Sequence, residues 1–331
     1  HNPSRTRRHA RPHCLERAGP MPVHPQIAKA LEALANAELP PLETMTPEDA
    51  RTQMEAMSKA RGGEPLPIQK TEERTIPGPA GDIPIRIYWP LGDAPKGAVL
   101  YLHGGGHVIG SLDTHDRVAR NLTAYSGALF ISVDYRMGPE NRFPAAVDDS
   151  WAGLEWLAKA AREFGIDPEN LAVAGDSAGA NLAAVIAIMA RDAGAPQLQF
   201  QALIYPVADY TLSSDSYRRY GTGYGILTED AMGWFQKHYL NTKADAEDWR
   251  ASPIKADSLA GVARALVITA ECDVLHDEGA AYAEALQAAG VPCIHSNYGG
   301  MIHAFFGMAP DVEDAATAQQ EVGAAIARAF A

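Results

Sequence analysis

Cysteine is scarce in this chain: three residues among 331, Cys14, Cys272 and Cys293, with no C-x-x-C pair. Three thiols cannot build a disulfide framework, which excludes the small stapled scaffolds of secreted proteins and makes a reducing cytoplasm the expected compartment. Long apolar runs are also missing. The longest, Leu182 to Ala190, has nine residues, less than half of the roughly 20 a bilayer-spanning helix needs, so no membrane partner is expected. No apolar h-region of a secretory signal stands at the N-terminus. An excess of basic charge is absent as well. The formal net charge is −13, and residues 21–331 alone hold 23 basic and 40 acidic side chains, a balance of −17. A body that acidic repels a phosphate backbone, which argues against nucleic acid as a partner. There is no internal repeat, and no low-complexity segment beyond the first 20 residues.

What is present is ordinary globular material, 47% hydrophobic and 21% charged, in a length that suits one large α/β domain with elaborations. Residues 1–20 start with His, carry five arginines against Glu16 and hold three prolines. They read as a disordered leader or appended sequence, with Met21 as the expected start of the folded chain. Ile27, Leu31, Leu34 and Ala35 fall on one helical face. Thr46-Pro47-Glu48-Asp49 announces a second helix, with an N-cap, a first-position proline and early acids.

Beyond a Gly- and Pro-rich linker the sheet is expected to begin near residue 70. Ile83, Ile85 and Ile87 alternate as in an antiparallel edge strand, preceded by the turn 79–82. Residues 98–102 and 128–133 are apolar runs of the kind buried on both faces of a parallel sheet, and further strands are expected near 200–205 and 265–270. Helical spacing links several of them, and a last strand near 292–298 precedes a helix over roughly 311–330. The alternation predicts an α/β class with a mostly parallel sheet and crossover helices. Residues 207–250 break the rhythm, rich in Tyr, Ser, Gly and Asp and then helical from Thr228. The expected division is therefore helices of a cap over 21–65, a catalytic core over 66–206 and 251–331, and a cap insertion over 207–250.

The densest stretch is Leu171 to Asn181, LAVAGDSAGAN, which places a serine in a G-x-S-x-G turn between a strand and an alanine-rich helix. That context is the nucleophile elbow. Gly175 and Gly179 leave room for a strained turn with the Ser177 hydroxyl exposed. Other strand ends carry chemistry that serves the same reaction: His103-Gly104-Gly105-Gly106, Asp273 and His303. A serine hydroxyl attacks well only when a base takes its proton. Imidazole suits that role, and a carboxylate fixes its tautomer. Glycine N–H groups, with no side chains in the way, can receive an oxyanion together with the Ala178 N–H.

These motifs, with the 273–277 loop DVLHD, His303-Ala-Phe305, residues 110–115 and 134–140, resemble the hormone-sensitive-lipase-like branch of the α/β-hydrolases, the bacterial family IV carboxylesterases. The resemblance runs from about Met21 to the C-terminus. It implies an α/β-hydrolase fold with a helical cap and a serine carboxylesterase acting on short- to medium-chain esters through an acyl-enzyme. Ser177 would be the nucleophile, His303 the base and Asp273 its partner, with Gly105, Gly106 and Ala178 forming the oxyanion hole. No cofactor and no metal are implied, the partner is a small-molecule ester, and family members are monomers or homodimers. The alternatives are a lipase on longer acyl chains or a non-catalytic binding protein on the same fold.

One departure falls within the motif: His107 stands where the family often has an aromatic residue, and it is expected to alter the pocket. His103 would shape the glycine loop. His24, His115 and His238 have no acid-and-strand-end context, His295 lies within a strand, and Asp176 beside the nucleophile is expected to be structural. Asp277 is read as an N-cap or loop brace and Cys272 as a small buried residue. About half of the aromatics between Tyr205 and Phe235 are read as packing and the rest as pocket lining.

Overall fold

Apolar runs with no polar face must be covered on both sides, and the central strands meet that condition. In the computed structural model, which describes residues 22–61, 63–221, 224 and 226–331, β3 (Ala98–Leu102), β4 (Leu129–Val133), β5 (Leu171–Asp176) and β6 (Phe200–Ile204) are buried at every position. With β1 (Lys70–Gly78), β2 (Gly81–Trp89), β7 (Ala265–Cys272) and β8 (Cys293–Ile302) they form one eight-stranded sheet in the order β1-β2-β4-β3-β5-β6-β7-β8. The pairs β1/β2 and β2/β4 are antiparallel and the others parallel. The mostly parallel sheet is the one the alternation predicted, and its architecture is the α/β-hydrolase fold that the resemblance implied. The expectations for residues 1–20 and for Met21 lie outside the described residues.

Two apolar clusters lie on opposite faces of the sheet. Helices α4 (Ala145–Ala160), α5 (Ala178–Ala193) and α8 (His276–Ala288) cover one, around Leu100, Val173, Leu203 and Val267. Helices α3 (Asp116–Ser126) and α9 (Glu313–Ala329) cover the other, around Val99, Tyr101, Phe130 and Ile268. α5 is the most deeply buried of them, because its alanines let it press against β5 without a polar stripe.

The N-terminal signals form the predicted helices. α1 spans Pro25–Asn36, and α2 spans Pro47–Ala60 with the Thr46 hydroxyl accepting from the Asp49 N–H at 3.1 Å. In the 207–250 segment, α6 (Asp215–Tyr220) was not foreseen. α7 (Glu229–Tyr239) begins one residue after Thr228, where the helix was expected to start, and the Thr228 hydroxyl caps it by accepting from the Ala231 N–H.

One expectation is corrected. The alternating strand β2 is not at the edge, because β1 pairs outside it over Lys70 to Gly78. β1 reads as charged (KTEERTI), and an edge strand exposed on one face tolerates that charge.

Candidate active site

The elbow is built by two glycines that cannot be replaced without collision. A Cβ on Gly175 would strike the Gly179 backbone, and one on Gly179 would strike the Leu102 carbonyl. The end of β5, the first turn of α5 and the end of β3 are therefore pressed backbone to backbone. Ser177 is held between them at φ 56°, ψ −118°, where a side-chain-bearing residue is strained. Its own N–H donates to the Ile204 carbonyl at 2.8 Å, and its carbonyl accepts from the Asn181 N–H at 3.0 Å.

From the ends of β7 and β8 come the two other side chains expected at the site. His303 Nδ1 lies 2.7 Å from Asp273 Oδ2, and His303 Nε2 lies 2.9 Å from Ser177 Oγ. The carboxylate can only accept, so Nδ1 carries the hydrogen and Nε2 is free to accept from the serine. The other Asp273 oxygen accepts from the Leu275 N–H at 3.0 Å, which fixes the carboxylate. The Tyr205 ring rests on His303 at 4.5 Å between centroids. All three side chains are buried, Asp273 most completely.

The glycine loop follows β3. Gly105 and Gly106 have φ of 125° and 60°, conformations that suit glycine, and a Cβ on Gly106 would enter the Phe235 ring. The N–H groups of Gly105, Gly106 and Ala178 take no part in the turn, loop and cap hydrogen bonds of the described residues. Ala178 is the first residue of α5, whose N–H has no intrahelical acceptor. The three candidate donors are thus unspent.

Asp176 ties this loop to the elbow. Its Oδ1 accepts from the Tyr101 hydroxyl at 2.6 Å and from the Gly104 N–H at 3.2 Å, and its Oδ2 is 3.3 Å from His115 Nε2. Burial alone would raise this carboxyl, but His115 and the Tyr101 hydroxyl outweigh it and hold the group below the usual carboxylate range. The structural reading of Asp176 fits these bonds. The reading of His115 does not, because it has an acid neighbour 61 residues away in sequence. His103 shapes the loop, its Nδ1 donating to the Gly104 carbonyl at 2.7 Å while its ring stacks on Tyr135. Burial lowers its pKa to about 4.

A cavity of about 1150 Å³ opens in front of Ser177 and His303. Gly104 to Gly106 form its floor, and Leu31, Met54, Met232 and Phe235 from α1, α2 and α7 are among its walls. Of the aromatics singled out, Tyr205, Tyr224 and Phe235 line it, while Tyr210, Tyr217 and Trp234 pack elsewhere. His107 does not line it. The imidazole is fully buried behind the glycine loop, so the substitution that seemed to bear on the pocket bears on what supports it.

Asp277 is a brace rather than an N-cap, lying within the first turn of α8 with Arg219 Nη2 at 2.6 Å. His295 bonds Thr269 Oγ1, and Cys272 is buried.

One polar residue whose buried role sequence reasoning did not find is Glu278. Its Oε1 accepts from the N–H groups of Ala208 and Asp209, and its Oε2 is buried without a partner. Burial, with Asp209 and Asp273 nearby, pushes this carboxyl well above its usual range despite the two N–H bonds. Among the described residues no group of three or more His, Cys, Asp and Glu side chains is placed to hold a metal ion, and no helix is long and apolar enough to cross a membrane.

Comparison with known proteins adds an independent line. A family profile described as alpha/beta hydrolase fold matches residues 99–307. The chain is 38% identical to an ethyl acetate hydrolase of Pseudomonas putida over 89% of its own length and 95% of that protein. It is 44% identical to a carboxylesterase of Mycobacterium tuberculosis, with 80% and 84% covered. A solved hyperthermophilic esterase from the archaeon Pyrobaculum calidifontis superposes with a TM-score of 0.89 at 43% identity, covering 94% of this chain and all of that one.

Proposed function

The chain belongs to the hormone-sensitive-lipase-like carboxylesterases of the α/β-hydrolase superfamily, and from that premise we propose that it hydrolyses short- to medium-chain esters on Ser177, through an acyl-enzyme. The observation that carries this reading is the hydrogen-bonded line Asp273–His303–Ser177, ending beside three unspent N–H groups at one cavity.

The geometry supports a complete cycle. Ser177 Oγ attacks the ester carbonyl carbon as His303 Nε2 takes its proton, and the buried Asp273 carboxylate stabilises the imidazolium that forms. The new oxyanion is received by the N–H groups of Gly105, Gly106 and Ala178, which are not spent on other turn, loop or cap hydrogen bonds. Collapse breaks the bond to the alcohol oxygen, which takes the proton from His303. Water then repeats the sequence on the acyl-enzyme and releases the carboxylic acid, restoring the serine. Helices α1 and α2 with the 207–250 segment serve as a cap whose side chains choose the acyl group.

Turnover of a p-nitrophenyl ester series by the native chain and by Ser177→Ala tests the proposal. Loss of about 10⁴-fold or more in kcat is expected, with the best native kcat/KM below about ten acyl carbons. Retained turnover in Ser177→Ala would overturn the assignment, and an optimum on longer chains would make the enzyme a lipase.

A further inference from the structure

His107 departs from the aromatic residue expected after the glycines, and its surroundings define a task. The residue is fully buried, with φ 60°, and its ring lies flat on Tyr239, with centroids 3.9 Å apart and planes 11° from parallel. Its Nδ1 is 2.7 Å from the Tyr210 hydroxyl, which has no other hydrogen-bond partner among the described residues. The tyrosine proton therefore points at Nδ1, which leaves the ring hydrogen on Nε2.

Nε2 is buried without a hydrogen-bond partner. Asn181, in the first turns of α5, has the opposite shortage. Its Nδ2 gives both hydrogens to carbonyls, Val207 O at 2.8 Å and Ala251 O at 2.7 Å, which fixes the amide orientation and leaves Oδ1 buried and unpartnered. Besides His103 and the Tyr210 hydroxyl, the polar groups that act on the His107 ring are the Asn181 side chain and the Ala178 backbone. A buried donor without an acceptor thus faces a buried acceptor without a donor.

We propose that His107 is a positioning residue of the oxyanion hole, its Nε2–H closing on Asn181 Oδ1 to hold the glycine loop and the first turn of α5 in register as the transition state forms. The inference rests on the esterase reading above. Gly106, whose N–H is one arm of the hole, immediately precedes His107. Ala178, the other arm, lies one helical turn before Asn181. Two orphaned polar groups are satisfied together by one small approach, and that approach moves the two arms toward a common point. The stack on Tyr239 and the bond to Tyr210 bring the 207–250 segment into the same unit. Burial pushes the His107 ring down to about 3, so it acts as a neutral donor throughout the working pH range.

The test is steady-state hydrolysis of p-nitrophenyl butyrate combined with inhibition by a trifluoromethyl ketone, whose serine adduct carries the oxyanion. His107→Phe keeps the ring stack and removes both polar links. Its kcat is expected to fall about tenfold or more, below the full loss of an oxyanion donor, with KM within about twofold. The ketone inhibition constant is expected to rise by the same factor, a coupling that a merely structural loss would not produce. Tyr210→Phe should shift both quantities in the same direction by less, and the double variant should be no worse than His107→Phe alone. Unchanged kcat in His107→Phe, or lost kcat with unchanged ketone affinity, would overturn the inference. If His107→Phe does not fold, Tyr210→Phe decides by the same paired readout. An active Ser177→Ala would overturn the esterase reading itself. An inactive one beside an unimpaired His107→Phe overturns only this inference.

Discussion

The ends of β3, β5, β7 and β8 and the two segments that wall the cavity, 22–61 and 207–250, meet at one site but are built by different means. The strand ends are fixed by backbone. Gly175 and Gly179 press β5 and α5 against β3, and Asp273 and His303 leave strands whose flanking residues are buried. The walls are fixed by side chains on half-exposed helices: α1 and α2 each bury only one residue fully, Ile27 and Ala50. Backbone contacts hold atoms to tenths of an ångström, whereas amphipathic helices can repack around a change of volume. The difference teaches where sensitivity should lie. Single atoms should decide the chemistry at the strand ends, and volume should decide selectivity at the walls.

Asp273→Asn gives the largest expected effect on that comparison. The amide has nearly the shape of the carboxylate but favours the wrong imidazole tautomer, so kcat should fall about 10⁴-fold at neutral pH. Thermal unfolding should move little. A loss under tenfold in stopped-assay kinetics would mean that the strand-end atoms are less decisive than their geometry implies.

At the wall, Met232→Ala removes a buried thioether from the cavity lining. A side chain that touches the acyl chain equally in the ground and transition states changes KM rather than kcat. KM for butyrate esters should rise about two- to tenfold, with kcat within about threefold. A kcat loss as large as that of Asp273→Asn would erase the distinction between the two regions.

Glu278 joins the regions, since its helix α8 follows Asp273 and its Oε1 binds the backbone at 208–209. The folded carboxyl has its pKa raised above the roughly 4.3 of an unfolded chain. Between those values the folded state keeps a proton that the unfolded state has released, so stability falls as pH rises through the window. Glu278→Gln keeps the acceptor oxygen and removes the titration. Its melting temperature, compared with that of the native chain, should improve progressively from pH 5 to pH 8. A constant difference across that range would show that Glu278 does not carry the raised value.

Much of this was legible in the sequence because the relevant signals are local. A run such as AVLYL or LAVAG is apolar on both faces, and so it marks a strand that must be covered twice. A serine between two closely spaced glycines needs no distant partner to be noticed. The start of the sheet near residue 70 was legible, but β1 was not drawn as a strand of its own, because Glu72, Glu73 and Arg74 put charge on both of its faces and charge at an edge looks like a loop. The supporting groups escaped for another reason. His107 meets Tyr210 across 103 residues, Glu278 meets Ala208 across 70, and His115 meets Asp176 across 61. Periodicity tells which face of an element a polar residue occupies, but not which remote group will be folded against it. Nothing in HDEGAAY marks Glu278 as buried, and only the sheet order brings the 208–209 backbone over it.

Whether Ser177 is acylated in turnover can be read by mass spectrometry after reaction with an alkyl p-nitrophenyl phosphonate. One adduct per chain is expected, on the peptide that carries Ser177 and absent from Ser177→Ala. An adduct on another residue, or full ester turnover in a chain whose Ser177 remains unlabelled, would contradict acylation at Ser177.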